Sequence, residues 1–205
     1  MKIKNLKIYG LGILTMVVFP VLGILLYGII EGTYSTIINS FSSDFNMLIQ
    51  IIVGGAVGSL FGFLAWQMVK SNYMRPVLVK YGHVVKSLNL SVFTIFFLSL
   101  CAGVGEEFFF RGILQDYLGV VIAAILFVLI HGYLNPFDKI IFVYGLLMTS
   151  FIVCIGYMDV YLGLLSAMSA HMAIDVILFY KLTNTNLENI AKVSKEDVLS
   201  VENNL

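Results

Sequence analysis

Residues 91–117 read SVFTIFFLSLCAGVGEEFFFRGILQDY, with Glu106, Glu107 and Arg111 set inside one of the most apolar regions of the chain. A charge at the centre of a membrane-embedded helix costs about 2.5–3.5 kcal/mol on insertion scales. A sequence keeps three such groups together only where they pair with one another or serve a purpose. The stretch predicts a membrane-embedded helix. Its polar centre, Glu106-Glu107-Phe108-Phe109-Phe110-Arg111, is one that the rest of the chain must bury.

Composition agrees with that surrounding. The chain has 205 residues, 60% of them hydrophobic and 12% charged, with a mean hydropathy of +0.96. A soluble domain carries about 25% charged residues. The expected fold is an all-α, polytopic transmembrane bundle of about six spans, with membrane lipid as its surroundings. The formal net charge is zero and no acidic or basic block occurs, which argues against a nucleic-acid partner. Cys101 and Cys154 both lie in apolar segments outside any CxxC, so neither a disulfide framework nor a zinc finger is expected.

Working outward, the apolar run Ile8–Ile30 is too long for a signal-peptide core and reads as a retained span, with Pro20 inside it. Glu31–Asp44 is a polar loop rich in Ser and Thr. The second span, Phe45–Val69, carries Gly54, Gly58 and Gly62 four residues apart, a small-residue stripe that lets another helix approach closely. Lys70–Leu90 is a basic connection at the interface, with His83 as a solvated surface residue. The third span begins at Ser91 and continues to Tyr117, and a short fourth runs from Gly119 to His131. Ile140–Tyr157 is the fifth and Val160–Tyr180 the sixth. The expected organisation is residues 1–90 (two spans and a basic loop), 91–180 (a helical core) and 181–205 (a polar tail with Lys195 and Glu196).

Lys2, Lys4 and Lys7, the basic 70–90 segment and Lys181 all fall on one side, and Glu31, Asp44 and Asp159 on the other. The positive-inside rule then places both termini in the cytoplasm of an integral membrane protein, expected in the plasma membrane.

The ionisable residues inside the spans or against them are Glu106, Glu107, Arg111, Asp116, His131, His171 and Asp175, all in the second half of the chain. That segregation predicts a single polar site. Glu107 and Arg111 are four apart with the acid nearer the amino terminus, the favourable order for a helical ion pair. Glu106 points about 100° away from Glu107 and cannot share the arginine equally. Its apolar setting and the adjacent carboxylate favour its protonated form, which suits general base and acid work near neutrality. His171 and Asp175 are also four apart, so the acid can orient or charge the imidazole.

Glu106-Glu107-x-x-x-Arg111, Phe127-x-x-x-His131 and His171-x-x-x-Asp175 resemble, in order and spacing, the three motifs of the intramembrane CAAX proteases and bacteriocin-processing enzymes (the CPBP family), which include the type II CAAX prenyl endopeptidases. The resemblance covers about residues 91–180. It implies an α-helical membrane endopeptidase acting on a lipidated, hydrophobic or bacteriocin-like peptide. Glu106 and His131 would activate the attacking water, and His171 and Asp175 would stabilise the oxyanion or help hold the site. Glu107 and Arg111 would support the geometry. The family's third motif often ends in Asn. Here it is Asp175, and an ionised carboxylate can only accept hydrogen bonds, so orienting His171 is the role expected of it.

Other intramembrane proteases fit less well. The sequence has no HExxH, no Gly-x-Ser-Gly and no Gly-x-Gly-Asp, and Ser166 and Ser169 read as helix-packing serines. Glu106, His131 and His171 could together hold a divalent metal such as zinc, or hold a water without one. Two other classes compete with the enzyme: an immunity or scaffold protein of the same fold, and a transporter using Glu106 and the histidines as a proton relay.

Overall fold

The structure, a computed structural model, describes residues 2–34 and 42–187, and every regular element among them is helical. Helix α1 spans Lys2–Glu31, α2 Met47–Val69, α3 Arg75–Leu88, α4 Val92–Phe109, α5 Gln115–Ile130, α6 Lys139–Leu162 and α7 Leu164–Asn184. A π-helical turn, Phe110–Leu114, joins α4 to α5 without a break. Segment 35–41 of the Ser/Thr-rich loop and the tail beyond 187, with Lys195 and Glu196, lie outside the described residues.

Five stretches are long and apolar enough to cross a membrane: Leu6–Glu31, Met47–Val69, Val92–Ile130, Lys139–Leu162 and Leu164–Asn184. The third has 39 residues and would be about 58 Å long if straight, nearly twice the hydrocarbon thickness. It is broken at Gly119, where φ is 75° and ψ 162°, a conformation essentially reserved for glycine. Glu106 lies about 20 Å before this glycine and His131 about 18 Å after it at about 1.5 Å per residue, yet their side chains come within 3.6 Å. The chain therefore doubles back at Gly119. The returning limb, residues 120–130, is only about 17 Å long and stops inside the bundle.

Gly163, with φ 110° and ψ 162°, makes the same kind of reversal between α6 and α7. This moves the sequence-predicted boundary at 157–160 to residue 163. Tyr157-Met158-Asp159 stays helical because Asp159 accepts a hydrogen bond from Gln115, and the glycine beyond supplies the backbone freedom that none of those residues has.

Cross-contacts fix the helix directions. Tyr9 bonds Thr94 at one end and Tyr117 bonds Glu31 at the other, so α1 runs parallel to α4 over its full length. Gly54, Gly58 and Gly62 of α2 meet Ser166, Ala170 and Ile177 of α7 in that order. A Cβ at Gly58 would collide with the Ala170 carbonyl, so the stripe of small residues is what allows the two backbones to touch. The main core lies under α5, α6 and α7, around Phe110, Phe127, Phe151, Ile155 and Ala170.

Residues 75–88, read from the sequence as a connection, form a helix. Pro76 sits in its first turn and Asn89 ends it in the left-handed conformation. Met74 and Leu78 are buried, Leu78 packs with Val69 and Leu187, and His83 is exposed as expected.

Candidate active site

The polar residues of α4, α5 and α7 meet in two layers. The inner layer is closed. Glu107 and Arg111 are 0% and 2% exposed, and their ion pair is forked: Arg111 Nη1 donates to Glu107 Oε1 at 3.1 Å while Nε lies 3.0 Å from Oε2. One charge-assisted hydrogen bond and a second close charge contact hold the pair. The guanidinium also lies 4.9 Å from the Phe127 ring centroid, which adds a cation–π contact, and reaches the Ile152 carbonyl at 3.5 Å. The predicted i,i+4 pair is therefore formed.

His171 completes that layer and has a further acidic partner, Glu107, that the sequence reading did not pair with it. Its Nδ1 bonds Glu107 Oε1 at 2.6 Å, whereas Asp175 lies 3.7 Å from Nε2. The main orienting acid is Glu107, across the helix interface, and Asp175 is the more distant second acid. The reason is close packing of α4 on α7 at Gly103, where a Cβ would stand 2.8 Å from the Met168 carbonyl. One turn further along α4, Glu107 comes opposite His171.

The outer layer is open to a cavity of about 350 Å³. Glu106, His131 and Asp175 have side chains 12%, 31% and 25% exposed and line it together with His171, Tyr133 and Tyr144. Glu106 Oε2 faces His131 Nε2 at 3.6 Å, so the carboxylate that seemed to have no partner on its own helix has one from α5. His131 Nδ1 donates to the Phe127 carbonyl at 2.7 Å, which fixes the ring and leaves Nε2 as the nitrogen turned to Glu106. Phe127 stacks on the same ring at 4.4 Å. Burial opposes a charge on His131. The Glu106 carboxylate 3.6 Å away, together with the Phe127 carbonyl, outweighs burial and raises its pKa above the ordinary histidine value.

Of the ionisable residues singled out from the sequence, Asp116 alone is left outside, exposed on the far side of the π-helical turn. Sequence reasoning missed Tyr133 and Tyr144. Tyr133 follows His131 by two residues in a turn, where an aromatic side chain carries no periodic signal. As a metal centre the arrangement does not fit: among the described residues no three His, Cys, Asp or Glu side chains converge to hold an ion. His171 spends Nδ1 on Glu107 and turns Nε2 to Asp175.

The stretch that supplies all these groups is the one that matches a known family: residues 88–177 fit the model of the Rce1-like type II CAAX prenyl endopeptidases. No curated protein and no solved structure matches the chain. Over residues 88–177 the chain is similar to the Rce1-like type II CAAX prenyl endopeptidases.

Proposed function

We propose that the protein is an intramembrane endopeptidase that hydrolyses a peptide bond in a hydrophobic, lipidated or bacteriocin-like peptide close to the bilayer. The observation that carries this reading is the Glu106–His131 pair facing a cavity, backed by an inner layer whose charges are already paired. Both Glu106 Oε2 and a neutral His131 Nε2 accept hydrogen bonds, and one water at the cavity edge can donate to both. Glu106 takes a proton from that water as its oxygen bonds the scissile carbonyl carbon. The tetrahedral intermediate then collapses, the carbon–nitrogen bond breaks, and the proton on Glu106 passes to the leaving amine. Glu107, Arg111 and His171 hold α4 and α7 in register, and Asp175 faces the second nitrogen of His171 from the cavity side.

The test is cleavage by purified protein in detergent. A lipidated and an unmodified hydrophobic peptide are incubated with wild type and with Glu106→Ala, and products are read by mass spectrometry. New termini from wild type alone support the reading. Intact peptides from a folded wild type would sink it in favour of a scaffold role.

A further inference from the structure

A tetrahedral intermediate carries a developing oxyanion, and hydrogen-bond donors aimed at it are worth more than any other single contribution in many hydrolases. The cavity described above is short of them. Glu106 and Asp175 accept when ionised. His131 spends its Nδ1 proton on the Phe127 carbonyl and turns Nε2 to Glu106. His171 spends Nδ1 on Glu107, which leaves one donor, Nε2, 3.7 Å from Asp175 and not hydrogen-bonded to it, where an oxyanion calls for a second.

Tyr133 is placed differently. It lines the cavity with Glu106, His131, His171 and Asp175, and its ring lies at 25° to the His131 ring with centroids 5.9 Å apart. A tight turn puts it there: Gly132 has φ 75°, and the Tyr133 backbone N–H returns to the Val128 carbonyl at 3.2 Å. The Tyr133 carbonyl packs against α6 at Gly145, where a Cβ would collide with it. The Tyr144 ring holds the phenol edge-on at 5.2 Å. Among the described residues no hydrogen bond takes up the hydroxyl.

We propose that the Tyr133 hydroxyl donates a hydrogen bond to the oxyanion of the tetrahedral intermediate, making Tyr133 a catalytic residue of this site. No proton is transferred; the phenol stays protonated before and after. Burial first, then the charges of Asp175, Glu106 and Tyr81, push its pKa up to about 12, so the hydroxyl is a donor throughout the working pH range. The inference rests on the endopeptidase reading.

The test uses the full-length protein and the peptide assay above. Tyr133→Phe keeps the ring against His131 and Tyr144 and deletes only the donor. The expected result is a fall in kcat of about 10²–10³-fold with KM and melting temperature close to wild type. Incorporating a fluorinated tyrosine at position 133 lowers the phenol pKa at unchanged shape, and should bring an alkaline limb of the kcat profile into the measurable range. A packing role would move neither kcat at constant melting temperature nor that limb. Near wild-type kcat in Tyr133→Phe, a larger kcat loss in Tyr144→Phe, or a fluorinated variant whose pH profile superimposes on wild type would each overturn the proposal while leaving the endopeptidase reading standing. A wild type that cleaves nothing overturns both.

Discussion

Glu106 and Glu107 are adjacent in sequence and opposite in setting. Glu107 is closed off and answers two groups, Arg111 and His171. Glu106 opens on the cavity and faces His131. Glu107→Gln leaves a buried guanidinium short of its counter-charge, a loss of roughly 3–5 kcal/mol for a fully buried pair, and also weakens the hold on His171. Glu106→Gln keeps shape and volume, so the fold should survive while turnover falls by about 10²–10⁴-fold with the loss of the base. Detergent melting temperature and peptide turnover on the same preparations read both. Near wild-type turnover in Glu106→Gln would remove Glu106 as the base.

A pH signature follows from the same pair. The pKa of His131 in the fold is raised above its ordinary value of 6.5, because the nearby Glu106 carboxylate and the Phe127 carbonyl outweigh burial. A raised folded-state value means that the pair adds its full stability below about pH 6.5 and loses it as pH climbs through the higher folded value. The melting-temperature gap between wild type and Glu106→Gln should therefore be widest on the acidic side and close as pH rises. A gap that grows with pH would show that Glu106 is not the group holding the imidazolium.

At the scale of elements, the glycines of α2 set where His171 sits. Gly58 backs onto Ala170, the residue before His171, whereas Gly55 has nothing within 4 Å. Gly58→Leu must push α7 away, at a typical overpacking cost of about 1–3 kcal/mol, and should lower both melting temperature and kcat. Gly55→Leu, one residue round the helix from Gly54 and in open space, should leave both unchanged. Indistinguishable variants would mean that α2 does not position α7. The stripe itself was legible in the sequence, because spacing by four on a helix is a statement about one face. The end of α1, both ends of α2 and the start of α4 were legible for a similar reason, since the length of an apolar run is a direct measure of a span. The Glu107–His171 bond was not, because its partners are 64 residues apart and their register is set by how closely α4 approaches α7 at Gly103. Gly119 and Gly163 were visible as residues, but their positive φ is a property of the packed hairpins and leaves no trace in composition. Helix α3 was hidden by its basic and aromatic side chains, which read equally well as an interfacial loop.

At the scale of the whole molecule, the question is how a site so deep in α4 is reached. Glu106 lies 15 residues beyond Ser91, or about 22 Å along the helix. Counted that way it belongs to the half of the bilayer away from the basic face. The structure gives a route from that face, because the returning limb after Gly119 stops at Ile130 and does not cross. The cavity runs from Glu106 past Ala102 and Leu98 of α4 to Leu88 of α3, Gly12 of α1 and Phe179 of α7. All of these lie toward the end where α1 and α4 begin and α7 finishes. Lys7, Lys86, Lys139 and Lys181 cluster at that end, which the positive-inside rule assigns to the cytoplasm. The expectation is a site entered from the cytoplasmic side through a deep polar-floored cavity. With Cys101 and Cys154 replaced by alanine, His83→Cys should react with a membrane-impermeant thiol reagent only in inside-out vesicles, and Tyr34→Cys only in right-side-out ones. Peptide added outside should be cleaved by inside-out vesicles alone. Labelling of His83→Cys from the external face would invert the orientation. Correct labelling with cleavage by right-side-out vesicles would keep the orientation and require an entrance on the side of Gly119 and Gly163.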